Sequence, residues 1–250
     1  MAGHSKWAQI KRKKGATDAK RGQLFSKLAR AIIVAAREGG PDPAGNLALQ
    51  NAIEKAKEAS MPKENIERAI ARGAGPTADG AAYETVTYEG YGPAGIAVYV
   101  EAVTDNRNRT AAEVRHIFSK ADGSLGESGS VAWLFERRAL VLVDGGADED
   151  ELTLAAAEGG ADDVEREGES WRVTAPPEAL GSVREAVEAA GITVESADLT
   201  MLPKTTVELE DEGAAKKVLR LMDALEDNDD VQDVYANFDI PERVLETVES

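Results

Sequence analysis

The sequence predicts an α+β protein of several domains: an N-terminal three-helix domain followed by two ferredoxin-like α/β domains, one inserted in the other. Three observations lead there. Apolar residues recur at helical spacing up to about residue 75 and at strand spacing beyond a Gly/Ala/Pro stretch, 73–82. Residues 138–200 follow the order β-α-β-β-α-β. The runs on either side of it, β-β-α and β-α-β, are each too small to bury a core alone, so joining them into one domain is the economical solution. The expected domains are 1–75, 80–135 with 203–240, and 138–200 between them.

Taken in order, residues 1–20 are basic and polar, with only Trp7 and Ile10 to anchor them, and such an arm is expected to order on a partner. A helix begins near Arg21. At about 100° per residue, Leu24, Phe25, Leu28 and Ile32 share one face, while Lys20, Lys27, Arg30 and Arg37 share the other. Arg21 falls on the apolar side, at the helix start. Gly39-Gly40-Pro41 ends this helix. A second runs from about Asn46 to Ala59 on Leu49, Ile53 and Ala56. A third starts at Pro62, a good first-turn residue, with Glu64 near its positive end and Gly73 as its stop.

Tyr83–Glu89 and Ile96–Val103 read as strands joined through Gly90–Gly95. A helix over 107–120 buries Ala111, Val114 and Phe118. Gly123–Ser130 reads as a loop and Val131–Phe135 as strand-like. The inserted order is Leu140–Val143 (strand), Asp148–Glu158 (helix), Val164–Glu167 and Ser170–Thr174 (a hairpin through Gly168), Pro177–Ala190 (helix) and Ile192–Leu199 (strand). Thr205–Leu209, Asp211–Leu225 and Val231–Asn237 form a last strand–helix–strand piece.

The charge is unevenly distributed. The chain of 250 residues has a net charge of −17. Yet residues 1–40 hold ten Lys or Arg against two acids, and 1–75 hold fifteen against seven. The remainder holds fourteen basic and thirty-nine acidic residues. Clustered cations repel one another and are best neutralised by a polyanion. The basic end is therefore read as a nucleic-acid grip, and the acidic remainder as surface that phosphate repels. The competing readings are a solvated surface, pairing of the basic end with the chain's own acidic domains, and an acidic protein partner. Zero cysteines exclude disulfides and thiolate chemistry. No apolar run reaches the ~20 residues of a membrane span, and the start has no signal-peptide pattern, so a cytoplasmic protein is expected.

The candidate nucleic-acid-binding residues are Lys6, Trp7, Lys11, Arg12, Lys13, Lys14, Lys20, Arg21, Lys27 and Arg30, with Arg107 and Arg109 as a second contact. Trp7 either stacks on an exposed base or anchors the arm. In Asp105-Asn106-Arg107-Asn108-Arg109-Thr110 a strand gives way to a capped helix carrying two arginines in its first turn. That placement opposes the helix dipole and asks for an anion, unless the arginines are simply solvated. Gly123, Gly126 and Gly129 stand three apart among serines, but they lack the Gly-Lys-Ser/Thr of a P-loop and precede a strand. A loop touching a backbone through its amides is the most they suggest. Two histidines, His4 and His116, belong to no catalytic or metal-ligating spacing, so no enzyme activity, metal or cofactor is expected. Asp148–Glu151 reads as a charged first helical turn and Asp227–Asp230 as a solvated turn.

The chain resembles the YebC/PmpR family of bacterial regulators, whose mitochondrial relative is a translational activator of cytochrome c oxidase. The resemblance rests on Ala2-Gly3-His4-Ser5-Lys6-Trp7, Asp18-Ala19-Lys20-Arg21-Gly22, Ala56-Lys57, and Met61-Pro62-Lys63-Glu64-Asn65-Ile66-Glu67-Arg68-Ala69-Ile70. Tyr88-Glu89-Gly90-Tyr91-Gly92-Pro93, Thr104–Thr110 and Gly126–Val131 extend it. It implies three domains, no catalytic site, and either a DNA-binding transcriptional regulator or a translation factor acting on the ribosome. The resulting expectation is a non-enzymatic, nucleic-acid-binding regulator of gene expression, most directly a DNA-binding one. The alternative is a ribosome- or rRNA-associated translation factor. Membrane and small-molecule partners are not expected, and the oligomeric state stays open.

Overall fold

Proline and glycine punctuate the N-terminal helices, and each break has a definite role in the computed structural model, which describes residues 18–75, 83–241 and 243–245. The first helix, α1 (Asp18–Gly39), is longer than its neighbours α2 (Leu47–Glu58) and α3 (Lys63–Ala74). Ile32, Ile33, Ala35 and Ala36 of α1 pack with Leu49, Ile53 and Ala56 of α2 and with Ile66 and Ala69 of α3. Leu24, expected on the apolar face, is 43% exposed, because the buried part of α1 begins two turns later.

Asn46 joins the first two helices. Its Oδ1 accepts from Leu49 N (3.1 Å) as the N-cap of α2. Its Nδ2 donates to Ala35 O and Gly40 O (2.7 and 2.9 Å), satisfying carbonyls at the end of α1. Gly73, read as a helix stop, instead lies buried inside α3. A side chain there would run into the Ile33 carbonyl and the Ala36 methyl of α1, so the glycine permits close helix contact.

The strands that follow form an antiparallel sheet. β1 (Glu84–Tyr91) pairs with β2 (Ala97–Thr104) across a turn in which Ala94 and Gly95 have φ of 58° and 74°. The helix α4 (Arg107–Lys120) and the short β3 (Ser124–Leu125) come next, β3 adding to the free edge of β1. A 3-10 turn over Ala132–Leu134 then leads into a single strand, β4 (Phe135–Asp144), where two separate strands were expected.

From β4 the chain continues through α5 (Glu149–Glu158), β5 (Asp163–Glu167), β6 (Ser170–Ala175), α6 (Leu180–Ala189) and β7 (Val194–Pro203). These strands form one antiparallel sheet in the order β5-β6-β4-β7, the arrangement of a ferredoxin-like unit. Val141, Val143, Trp171 and Val173 face Leu152 and Ala156 of α5 and Val183 and Val187 of α6. Asp148 caps α5, and the acids after it lie along the positive helix end.

The chain ends with β8 (Val207–Glu208), α7 (Glu212–Glu226), β9 (Val231–Ala236) and β10 (Phe238–Asp239). β9 pairs with β2, giving the order β3-β1-β2-β9. β8 does not join that sheet; it runs parallel to β10 in a pair of its own. Val98, Val100, Val114, Phe118, Val218, Leu221, Met222, Leu225 and Val234 fill the core between this sheet and α4 and α7.

Contacts divide the described chain into two compact units. One is Trp133–Thr206; the other holds the residues before and after it. The architecture is α+β, with an N-terminal helical region followed by β-rich domains. Among the described residues, no helix is long and apolar enough to cross a membrane.

Candidate nucleic-acid interface

Lys6, Trp7 and Lys11 to Lys14 lie outside the described residues, and so does the side chain of Lys20. Arg21 is exposed on α1. Further along α1, the polar face meets acceptors. Gln23 Nε2 donates to Asp227 O (2.7 Å) and to Asp229 Oδ1 (3.0 Å). Lys27 Nζ donates to Glu226 O, and Arg30 donates to Asp229 O (2.6 Å) and Asp230 Oδ1 (3.1 Å). Residues 23, 27 and 30 stand at helical spacing on one face and dock on the C-terminal end of α7 and the turn after it. The last carbonyls of α7 carry the negative end of its dipole, which favours cations there.

Asp230 sits where three segments meet, and it is 4% exposed. The expectation of a solvated turn over Asp227–Asp230 is thus corrected at its last residue. Its Oδ2 accepts from Arg109 (2.7 Å), from Thr110 Oγ1 (2.7 Å) and from Thr104 Oγ1 (3.2 Å). Burial pushes this carboxyl upward, but the hydrogen bonds from Arg109 and Thr110 and the charges of Arg109 and Arg30 outweigh it. The result lies below the usual aspartate range. Donating this hydrogen bond to Asp230 and a second to Asp105 Oδ1 (2.9 Å) holds Arg109 still more firmly protonated.

The α4 start therefore needs no external anion to explain Arg109. Asn106 caps the helix through Arg109 N (3.1 Å), and Asp105 and Asp230 supply the countercharge. Arg107 points elsewhere; it is exposed and lies 3.7 Å from the exposed Glu84. The two cation sets singled out in the sequence come together through Arg30 and Arg109 on Asp230. His116 is exposed on α4.

The glycine-rich loop also has an internal occupant. Glu89 is 4% exposed and accepts from the backbone N–H of Gly129 (2.6 Å), Val131 (2.7 Å) and Ala132 (2.7 Å). Burial raises the Glu89 carboxyl, and these three bonds more than reverse the effect. The amides that resemble a backbone cradle are filled by a carboxylate of the same chain, with Gly129 at φ 86° making the bend possible.

The sequence did not single out Arg68, Arg72 and Tyr83. Arg68 and Arg72 are exposed one turn apart on α3. The guanidinium carbons of Arg30 and Arg72 lie 5.7 and 6.0 Å from the centre of the Tyr83 ring, and Arg37 donates to Tyr83 O (3.1 Å). Helical spacing could have flagged the Arg68/Arg72 pair; nothing local in the sequence marks Tyr83 as its neighbour.

A family model for the N-terminal domain of TACO1/YebC proteins matches residues 5–76, and one for their second and third domains matches residues 83–238. The chain belongs to the TACO1/YebC family. Curated relatives named probable transcriptional regulatory proteins include one from Rubrobacter xylanophilus, 60% identical over 99% of both chains. Another, from Halothermothrix orenii, is 55% identical with the same coverage. The crystal structure of a conserved hypothetical protein from Aquifex aeolicus is 53% identical, with a TM-score of 0.80 over 90% of this chain and 93% of that one. Across the TACO1/YebC boundaries, the Asp230 hub joins residues of the N-terminal match to residues of the second.

Proposed function

We propose that the chain regulates gene expression by binding nucleic acid, without catalysing a reaction, and that duplex DNA is its target. One observation carries the reading: a net charge of −17 coexists with ten cations against two acids in the first forty residues. The names of its relatives as probable transcriptional regulatory proteins support the regulatory role. Lys27, Arg30 and Arg109 fasten the fold internally. The backbone grip is therefore assigned to Lys6, Lys11, Arg12, Lys13, Lys14, Lys20 and Arg21, with Trp7 beside them and Arg107 as an outlying contact. These are phosphate contacts, which position a protein without reading bases, so discrimination between sequences should be weak.

The test is a set of binding isotherms on a 20-base-pair duplex at several salt concentrations. Each neutralised phosphate steepens the dependence of log K on log salt by about 0.9. Replacing Lys11, Arg12, Lys13 and Lys14 with alanine should flatten the slope by several units. A flat response of the unaltered protein, or no binding at low salt, overturns the proposal. Binding to a ribosomal RNA fragment, with co-sedimentation on ribosomal particles and no duplex binding, would assign the same cations to folded RNA.

A further inference from the structure

From the arrangement around Tyr83, we infer that Arg68 and Arg72 of α3 hold one phosphate of a nucleic-acid backbone, with Tyr83 presenting Arg72 to it. The inference deepens the proposed function and rests on that reading. It names a contact far along the sequence from the basic arm.

Arg68 and Arg72 stand at i and i+4, where side chains are neighbours and like charges oppose each other. Among the described residues, no hydrogen bond or ion pair takes up either one. Glu64, one turn before Arg68, forms no ion pair with it, and Glu67 is 3.6 Å from Lys63 instead. A like-charged pair left open on one helix face is relieved by an anion.

Tyr83 adds the second element. A guanidinium stacked on an aromatic ring uses its face for the ring and leaves the N–H groups along its edge for hydrogen bonding. Arg30 and Arg72 both approach this ring. The edge of Arg30 is committed to Asp229 O and Asp230, while the edge of Arg72 carries no such bond. Arg37 contributes a third positive charge, fixed by its bond to Tyr83 O, and its Nε is buried without an acceptor. Three guanidiniums thus surround Tyr83, and Asp230 neutralises only Arg30.

The planar fork of arginine matches a phosphate oxygen pair, which singles out the phosphodiester as the ligand. Two sources carry that group, DNA and RNA, and the test separates them. Binding of a 20-base-pair DNA duplex and of a 20-nucleotide single-stranded RNA is measured over a range of salt for the unaltered chain, Arg72→Gln, Arg72→Lys and the double variant Arg68→Gln/Arg72→Gln.

In the arm that binds, Arg72→Gln should weaken binding several-fold and reduce the salt slope by about 0.9 for duplex or about 0.7 for single strand. Arg72→Lys should keep the slope while losing affinity, because the charge remains and the fork does not. The double variant should fall little further than Arg72→Gln in slope, as one phosphate is shared. Equal slopes for Arg72→Gln and the unaltered chain overturn the inference alone, whatever the change in affinity, since a displaced helix lowers affinity without removing a phosphate. If the unaltered chain binds neither probe, this inference and the proposed function fall together.

Discussion

Arg30 and Arg109 meet on one carboxylate: Arg30 approaches Asp230 Oδ1 at 3.1 Å and Arg109 approaches Oδ2 at 2.7 Å. The first belongs to the N-terminal helix and the second to the opening turn of α4. Asp230 follows α7 and precedes β9. A shared counterion makes the placement of the helical region depend on a loop near the other end of the chain. It also removes two cations from the surface that the sequence suggested for phosphate.

Substituting Asp230 should therefore be costly. Asp230→Asn removes the charge that two arginines share and leaves the donors of Arg109, Thr104 and Thr110 imperfectly matched. The expected loss is about 2–4 kcal/mol in urea unfolding of the whole chain. The Arg30→Met and Arg109→Met changes should be non-additive, because both act through Asp230, with coupling on the order of 0.5–3 kcal/mol. Additive losses would mean that the two arginines do not communicate.

Glu89 makes a comparable prediction for the loop after β3. Its carboxylate takes three backbone N–H groups, so Glu89→Gln exchanges a charged acceptor pair for an amide with only one oxygen. A cost of about 1–3 kcal/mol is expected. Hydrogen exchange should speed up at Gly129, Val131 and Ala132 before the strands are affected. Unchanged exchange at these amides would show that the loop holds its shape without the carboxylate.

Both carboxyls also set a direction for pH. Their folded pKa values are lowered, so their stabilising contributions are fully present above the unfolded values, about 3.9 for Asp and 4.3 for Glu, and disappear as pH falls through the folded ones. Urea midpoints should change little on account of these two groups between about pH 7 and 5, then decline below about pH 4. The Asp230→Asn/Glu89→Gln variant should start lower and decline less. An acid limb as steep as that of the unaltered chain would contradict the assigned shifts.

The parts of the fold that were legible in the sequence are those with periodic burial. The faces Leu49/Ile53/Ala56 and Val114/Phe118 bury as their spacing requires, and the inserted β-α-β-β-α-β order is visible from alternation and turn residues. Contacts between distant segments left no such trace. Glu89 is out of phase with Val86 and Tyr88 on β1, so alternation alone carries no sign of its burial; a loop some forty residues later covers it. Asp230 stands in an acidic run that resembles any hydrated turn; α1 reaches Asp229 as well, and it is the approach of Arg109 and Thr110 of α4 that distinguishes Asp230. Lys27 and Arg30 look like surface cations on the helical wheel, because the wheel does not include the end of α7. Thr205–Leu209 was legible as extended chain, but its pairing with β10 instead of β9 depended on a partner choice that propensity does not encode.

Gly73 gives the last prediction, where local preference and packing disagree. Alanine is the better helix former by about 1 kcal/mol, so on an exposed helix Gly→Ala would stabilise. At this position a Cβ would lie 2.8 Å from the Ala36 methyl and still closer to the Ile33 carbonyl. Neither neighbour is the end of a flexible side chain: one is α1 backbone and the other a methyl fixed to it. Relief requires α1 and α3 to separate, which loosens the packing of Ile32, Ile33 and Ile66. Overpacking costs about 1–3 kcal/mol, enough to outweigh the propensity gain. Gly73→Ala should therefore lower the urea midpoint, while Ala71→Gly on the exposed side of α3 should lower it by propensity alone. A more stable Gly73→Ala chain would show that the two helices can part without loss, and that Gly73 is not there for their contact.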